Sequence, residues 1–133
     1  MKVGFFAILL LLICSCAKEK SATPYISLQN TKWNWISTTQ DSTFYEDTTS
    51  SSNSQVLNFI DYKNIDWKRN DSVFYNGLFV THTKMSVLTG TNKLIMDLDG
   101  ISNGFIIERL VDTLWIREDI ANGSKTYRYI KMN

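Results

Sequence analysis

From residue 31 onward, apolar and polar residues alternate. Trp33 and Trp35 are interleaved with Lys32 and Asn34, Leu57 and Phe59 flank Asn58, and Ile65 and Trp67 flank Asp66. The pattern returns at Leu94, Met96 and Leu98, at Phe105 and Ile107, at Leu114 and Ile116, and at Tyr127 and Tyr129. Successive side chains on a strand point to opposite faces, so a period of two with one apolar face predicts half-buried strands. Val73–Tyr75 and Leu78–Leu88 add two stretches rich in β-branched and aromatic residues, which fit a pleated, half-buried surface. Asn76-Gly77, Asn103-Gly104 and Asn122-Gly123, with Thr89-Gly90 and Asp99-Gly100, punctuate these runs. Such pairs tolerate positive φ and predict turns. Short strands so punctuated predict an all-β domain with antiparallel neighbours, a closed barrel or a sandwich. Parallel βαβ units are excluded, because no crossover helix separates the strands.

Two segments depart from the alternation. Ser37–Ser54 is dominated by Ser, Thr and Asp. It has too little apolar surface to offset its ordering entropy, so a long loop is expected, with Phe44 and Tyr45 extending a strand end. Tyr25–Gln29 reads as a single helical turn, with Ile26 and Leu28 touching the domain.

The N-terminus has a different logic. Lys2 is followed by an apolar run of 11 residues, Val3–Ile13, broken only by Gly4. A bilayer-crossing helix needs about 20, so the run is the core of a secretory signal peptide. It ends in Ile13-Cys14-Ser15-Cys16, the form of a lipobox: a branched apolar residue, a tolerant position, a small residue, then cysteine. The thiol is needed to form a thioether to diacylglycerol, and the small Ser15 lets the peptidase reach the bond. A lipobox ending at Cys14 would put bulky Ile13 in the small position. Residues 1–15 are therefore read as signal peptide, Cys16 as the lipid-bearing first residue of the mature chain, and 16–24 as a polar tether to a domain over 25–133. Cleavage discards Cys14, so the mature domain has no disulfide. Ala17 follows the cysteine, where Asp would resemble an inner-membrane retention signal, so the outer membrane is the expected address.

Charge removes some function classes. Of 14 basic residues only Lys2 is lost with the signal peptide, leaving 13 against 13 acidic. That balance gives no electrostatic case for nucleic acid or a polybasic membrane patch. His82 is the single histidine and no mature cysteine remains, too few ligands for zinc. His82, Asp97 and Asp99 are read as solvent-facing strand residues. There is no Gly-rich phosphate loop and no nucleophile elbow. No enzyme, cofactor or metal is expected.

A short helical turn, an early strand with Trp33, a long first loop, a meander, and a last strand with Arg128 between Tyr127 and Tyr129 together resemble the lipocalin-like, or calycin-like, small lipoproteins. The resemblance covers about residues 25–132, although Thr31-Lys32-Trp33 lacks the glycine of the family's Gly-x-Trp opening. It implies an up-and-down barrel of about eight strands, closed at one end and open at the other. It also implies that Arg128 packs over Trp33 as a structural pair, worth about 0.5–2 kcal/mol.

Alternation nominates Trp35, Leu57, Phe59, Phe79, Phe105, Ile107, Leu114 and Tyr129 as the residues facing the barrel interior. Two readings stay open. Those residues line a site for one small apolar or amphipathic ligand, gated by Ser37–Ser54, or they fill the barrel. In the second case the chain is a structural or interaction lipoprotein, an envelope-complex subunit or an inhibitor. Either way it is expected to be a monomer held at the membrane by its acyl chains.

Overall fold

The computed structural model describes residues 28–41, 46–48 and 52–133. The expected signal peptide, Cys16, the tether, and Phe44 and Tyr45 lie outside the described residues. Of the expected turn over 25–29, only Leu28 and Gln29 are described, in a turn closed by the Thr31 amide on the Leu28 carbonyl at 3.2 Å.

Nine strands follow: β1 (Thr31–Gln40), β2 (Glu46–Thr48), β3 (Gln55–Phe59), β4 (Asn64–Arg69), β5 (Ser72–Met85), β6 (Asn92–Leu98), β7 (Phe105–Leu110), β8 (Thr113–Glu118) and β9 (Lys125–Lys131). β1 and β3–β9 pair antiparallel in chain order, and β9 returns to β1, closing an eight-stranded up-and-down barrel. Among the described residues, β2 pairs only with β1. No helix occurs among the described residues. Closure removes the free sheet edges that would otherwise recruit other chains.

The described part of the Ser/Thr-rich segment is largely strand and not the expected loop, with Ser37–Gln40 in β1 and Glu46–Thr48 in β2. Ser37–Gln40 continue β1, because β9 offers pairing along that whole length, from Ser37 opposite Arg128 to Gln40 opposite Lys125. Long-range pairing here outweighs composition. A register shift between Trp35 and Ser37 bends β1 at this point, as a bulge does.

The expected turn at Asn76-Gly77 is not one. Both residues sit inside β5, opposite Asp66 and Ile65 of β4. The reversal lies earlier, at Asn70 and Asp71, whose φ of 49° and 61° are those of a two-residue type I′ hairpin. Gly77 serves another purpose. A Cβ there would fall 2.6 Å from the Tyr75 hydroxyl, which donates to a backbone carbonyl, Leu78 O at 2.8 Å or Asp99 O at 2.9 Å. The glycine makes room for a ring lying across the strand.

Inward residues meet along the barrel axis. Trp33, Leu57, Phe59, Ile65, Trp67, Met96, Leu114, Ile116 and Tyr129 have no exposed surface. The three inward tryptophans keep their N–H groups satisfied. Trp33 donates to Thr31 Oγ1 at 2.8 Å, Trp35 to Thr38 Oγ1 at 2.9 Å and Trp67 to Gln55 Oε1 at 3.2 Å. A buried N–H left unpaired would cost roughly 1–3 kcal/mol.

Candidate functional site

Seven of the eight nominated interior residues, Trp35, Leu57, Phe59, Phe79, Phe105, Leu114 and Tyr129, join the buried core, and Ile107 packs against it half-buried. They meet one another. Phe59 and Phe79 make an edge-on contact with centroids 5.1 Å apart.

The barrel end served by the β4–β5, β6–β7 and β8–β9 connections carries an arginine that faces inward. Arg69 follows Trp67 on the same side of β4, and its guanidinium sits 3.6 Å from the Phe74 ring centroid and 5.1 Å from that of Trp67. Trp67 also meets Phe105 and Tyr127 edge-on. Tyr127 donates to Glu118 Oε1 at 2.8 Å. Burial, with the Glu118 charge beside it, pushes the Tyr127 pKa well above its ordinary value, against the opposing pull of Arg69. Arg69 Nε and Tyr129 Oη are buried with no hydrogen-bond partner among the described residues. Arg69 was not among the residues nominated from sequence, which were all apolar or aromatic. Only the phase of β4, set by Ile65 and Trp67, turns Arg69 inward.

Arg128 and Trp33 do not form the expected pair. Trp33 points inward, opposite Lys131. Arg128 lies between the inward residues Tyr127 and Tyr129, so it points out. It stacks 5.1 Å above the Trp115 ring, which Arg109 approaches at 5.6 Å. Arg128 also reaches Ser37 Oγ at 3.3 Å and Thr39 Oγ1 at 3.4 Å. Period two allows a guanidinium to meet only an indole on its own face, and Trp115 is that indole.

The outer wall holds two further clusters. Asp97 accepts from Lys84 Nζ at 2.7 Å and lies 3.0 Å from His82 Nε2, so the histidine and the carboxylate share a half-exposed surface network. Beyond them the tip of the β5–β6 hairpin reaches Asp119. That carboxylate accepts from Ser86 Oγ at 2.6 Å, the Leu88 amide at 2.9 Å and the Val87 amide at 3.2 Å. Burial raises the Asp119 pKa, but these three bonds with the Lys84 charge outweigh it and leave the group below its ordinary value. The β5–β6 turn and Asp119 belong to opposite ends by strand alternation, so the hairpin bends back over the wall. Ile95 and Ile106, paired and pointing outward, are consequently buried beneath it.

Among the described residues, no group of three or more His, Cys, Asp or Glu could hold a metal ion, and no helix is long and apolar enough to cross a membrane. Comparison of the chain with protein-family models, with curated proteins and with solved structures returned no match.

Proposed function

We propose that this chain is an outer-membrane lipoprotein of lipocalin-like build, anchored through acyl chains on Cys16, whose barrel is a rigid interaction module. The packed interior carries this reading. Nine inward side chains, from Trp33 to Tyr129, have no surface a water molecule can touch, and an apolar ligand needs far more room than one water. The order Ile13-Cys14-Ser15-Cys16 supports the anchor. Metabolic labelling with an alkynyl fatty acid should mark the wild type and not Cys16→Ser. Titration of fatty acids, sterols and haem should leave tryptophan emission unchanged. A saturable shift with any of them would overturn the filled-barrel reading.

A second reading has its own observation. Arg69 is held between Trp67 and Phe74 at one barrel end, with Phe74 about half exposed. A stacked guanidinium there suits the anionic head of an amphipathic molecule whose tail lies outside the packed middle. In that case saturable quenching by such a molecule should disappear in Arg69→Met.

A further inference from the structure

The outer face around Trp115 has the composition of a membrane-surface contact, and we infer that it lies on the bilayer to which Cys16 ties the chain. The inference rests on the anchor reading above. On this face Trp115 sits opposite Arg128, which sits opposite Ser37, and the neighbouring row is Thr113, Ile130 and Asn34. Arg109 and Arg128 both stack on Trp115. Around them Ile130 and Val111 are each 50% exposed and Ile36 is 38% exposed. None of these aliphatic side chains contributes to the interior. An indole flanked by arginines, with aliphatic side chains standing singly beside it, is suited to the headgroup layer. There the ring's amphipathic body, the arginine stems and the apolar tips each find their own depth.

Where the chain enters the fold selects lipid as the occupant. The Lys131 amide donates to Asp112 O at 3.2 Å and the Met132 amide to Lys32 O at 2.8 Å. These bonds gather the start of β1, the β7–β8 turn and the end of β9 at one end of the barrel. Val111 and Ile130 stand at that same end. The segment from Cys16 to residue 27 arrives there, and even fully extended it spans at most about 40 Å. The anchor thus enters at the barrel end that carries Val111 and Ile130, which places the Trp115 face within its reach of the bilayer. The opposite part of the same wall is neutralised, since Arg117 is engaged by Asp41 and by Glu108 at 3.4 Å.

The test uses the full lipidated chain in vesicles of phosphatidylethanolamine and phosphatidylglycerol, with or without bromine on the acyl chains. Trp33 and Trp67 are sealed and Trp35 nearly so, which leaves Trp115 to meet lipid. Brominated vesicles should remove roughly a quarter of the emission, one tryptophan of 4. The loss should vanish in Trp115→Phe and at least halve in Ile130→Asp, whose exposed position spares the core. Vesicle flotation without Trp115-dependent quenching would overturn the proposal and leave the anchor standing. Failure of the wild type to float would overturn the anchor reading and this proposal with it.

Discussion

Ser86 and Asp119 stand 33 positions apart in sequence and share a 2.6 Å hydrogen bond that fastens the β5–β6 hairpin to the barrel wall. The same carboxylate takes the Val87 and Leu88 amides. Hydrogen bonds to an ionised group contribute about 1.5–3 kcal/mol each, and bonds sharing one acceptor do not add fully. Asp119→Ala should therefore cost about 3 kcal/mol. Amide exchange should place the loss locally, with Val87, Leu88 and Ile95 losing protection before the strands β8 and β9.

Acid should release the same clasp. The pKa of Asp119 in the fold lies below its ordinary value. A carboxylate depressed by folding contributes stability above its unfolded pKa and loses it as pH falls through the folded one. Stability should then be flat with respect to this group from neutral pH down to about 4 and decline below that. Asp61 acts in the same direction from the β3–β4 turn, held down by the Asn64 side chain and by the Lys63 and Asn64 amides. Thermal melts between pH 7 and pH 2 should show the decline, and Asp119→Ala should flatten part of it. An unchanged acid limb in the variant would show that the clasp does not titrate.

Gly104 lies beneath the hairpin. A Cβ there would fall 2.6 Å from Ile95 Cγ2 and 2.5 Å from Asp97 Oδ1. Ile95 is wholly buried and cannot swing aside without vacating its packing. Gly104→Ala should cost about 2 kcal/mol through overpacking, read as a lower melting temperature with an unchanged β-sheet spectrum.

The strands were legible where the chain alternates, and the inward set Leu57, Phe59, Leu114, Ile116 and Tyr129 follows directly from that alternation. Closure was not legible from period alone, since a sandwich has the same period, and it required the resemblance. Asn76-Gly77 misleads because the dipeptide is compatible with a turn without requiring one. The requirement fell on Asn70 and Asp71, where β4 and β5 must reverse within two residues. Asp119 was invisible because its partners are distant in sequence, and two of the three are the backbone amides of Val87 and Leu88, which side-chain patterning does not reveal. Arg128 was placed with the wrong indole because a family-level pairing does not carry strand phase.

That phase makes a contrast testable. Trp33 is sealed inside and bonded to Thr31, so Trp33→Ala should lose about 4 kcal/mol, as large-to-small changes at aromatic core sites do. Arg128 stacks on a half-buried Trp115 at the surface, where a cation–π contact contributes under about 1 kcal/mol. Arg128→Ala should therefore remain folded, with a denaturation midpoint close to wild type. Equal losses in the two variants would restore a shared structural role.

Tyr129 offers the opposite sign. Its hydroxyl is fully buried and without a partner among the described residues. A buried hydroxyl left unpaired costs free energy that its removal returns, so Tyr129→Phe should stabilise the fold by about 1 kcal/mol. The alkaline limb should respond too. Burial, reinforced by repulsion from an ionised Tyr127 and only partly opposed by Arg69, holds the Tyr129 pKa well above its ordinary value. A raised pKa contributes stability below the unfolded value, near 10, and loses it as pH climbs toward the folded one. Absorbance at 295 nm should show the buried phenols of Tyr127 and Tyr129 ionising only together with loss of structure, and Tyr129→Phe should move that transition to higher pH. A destabilised Tyr129→Phe would mean that the hydroxyl has a partner and would overturn this prediction.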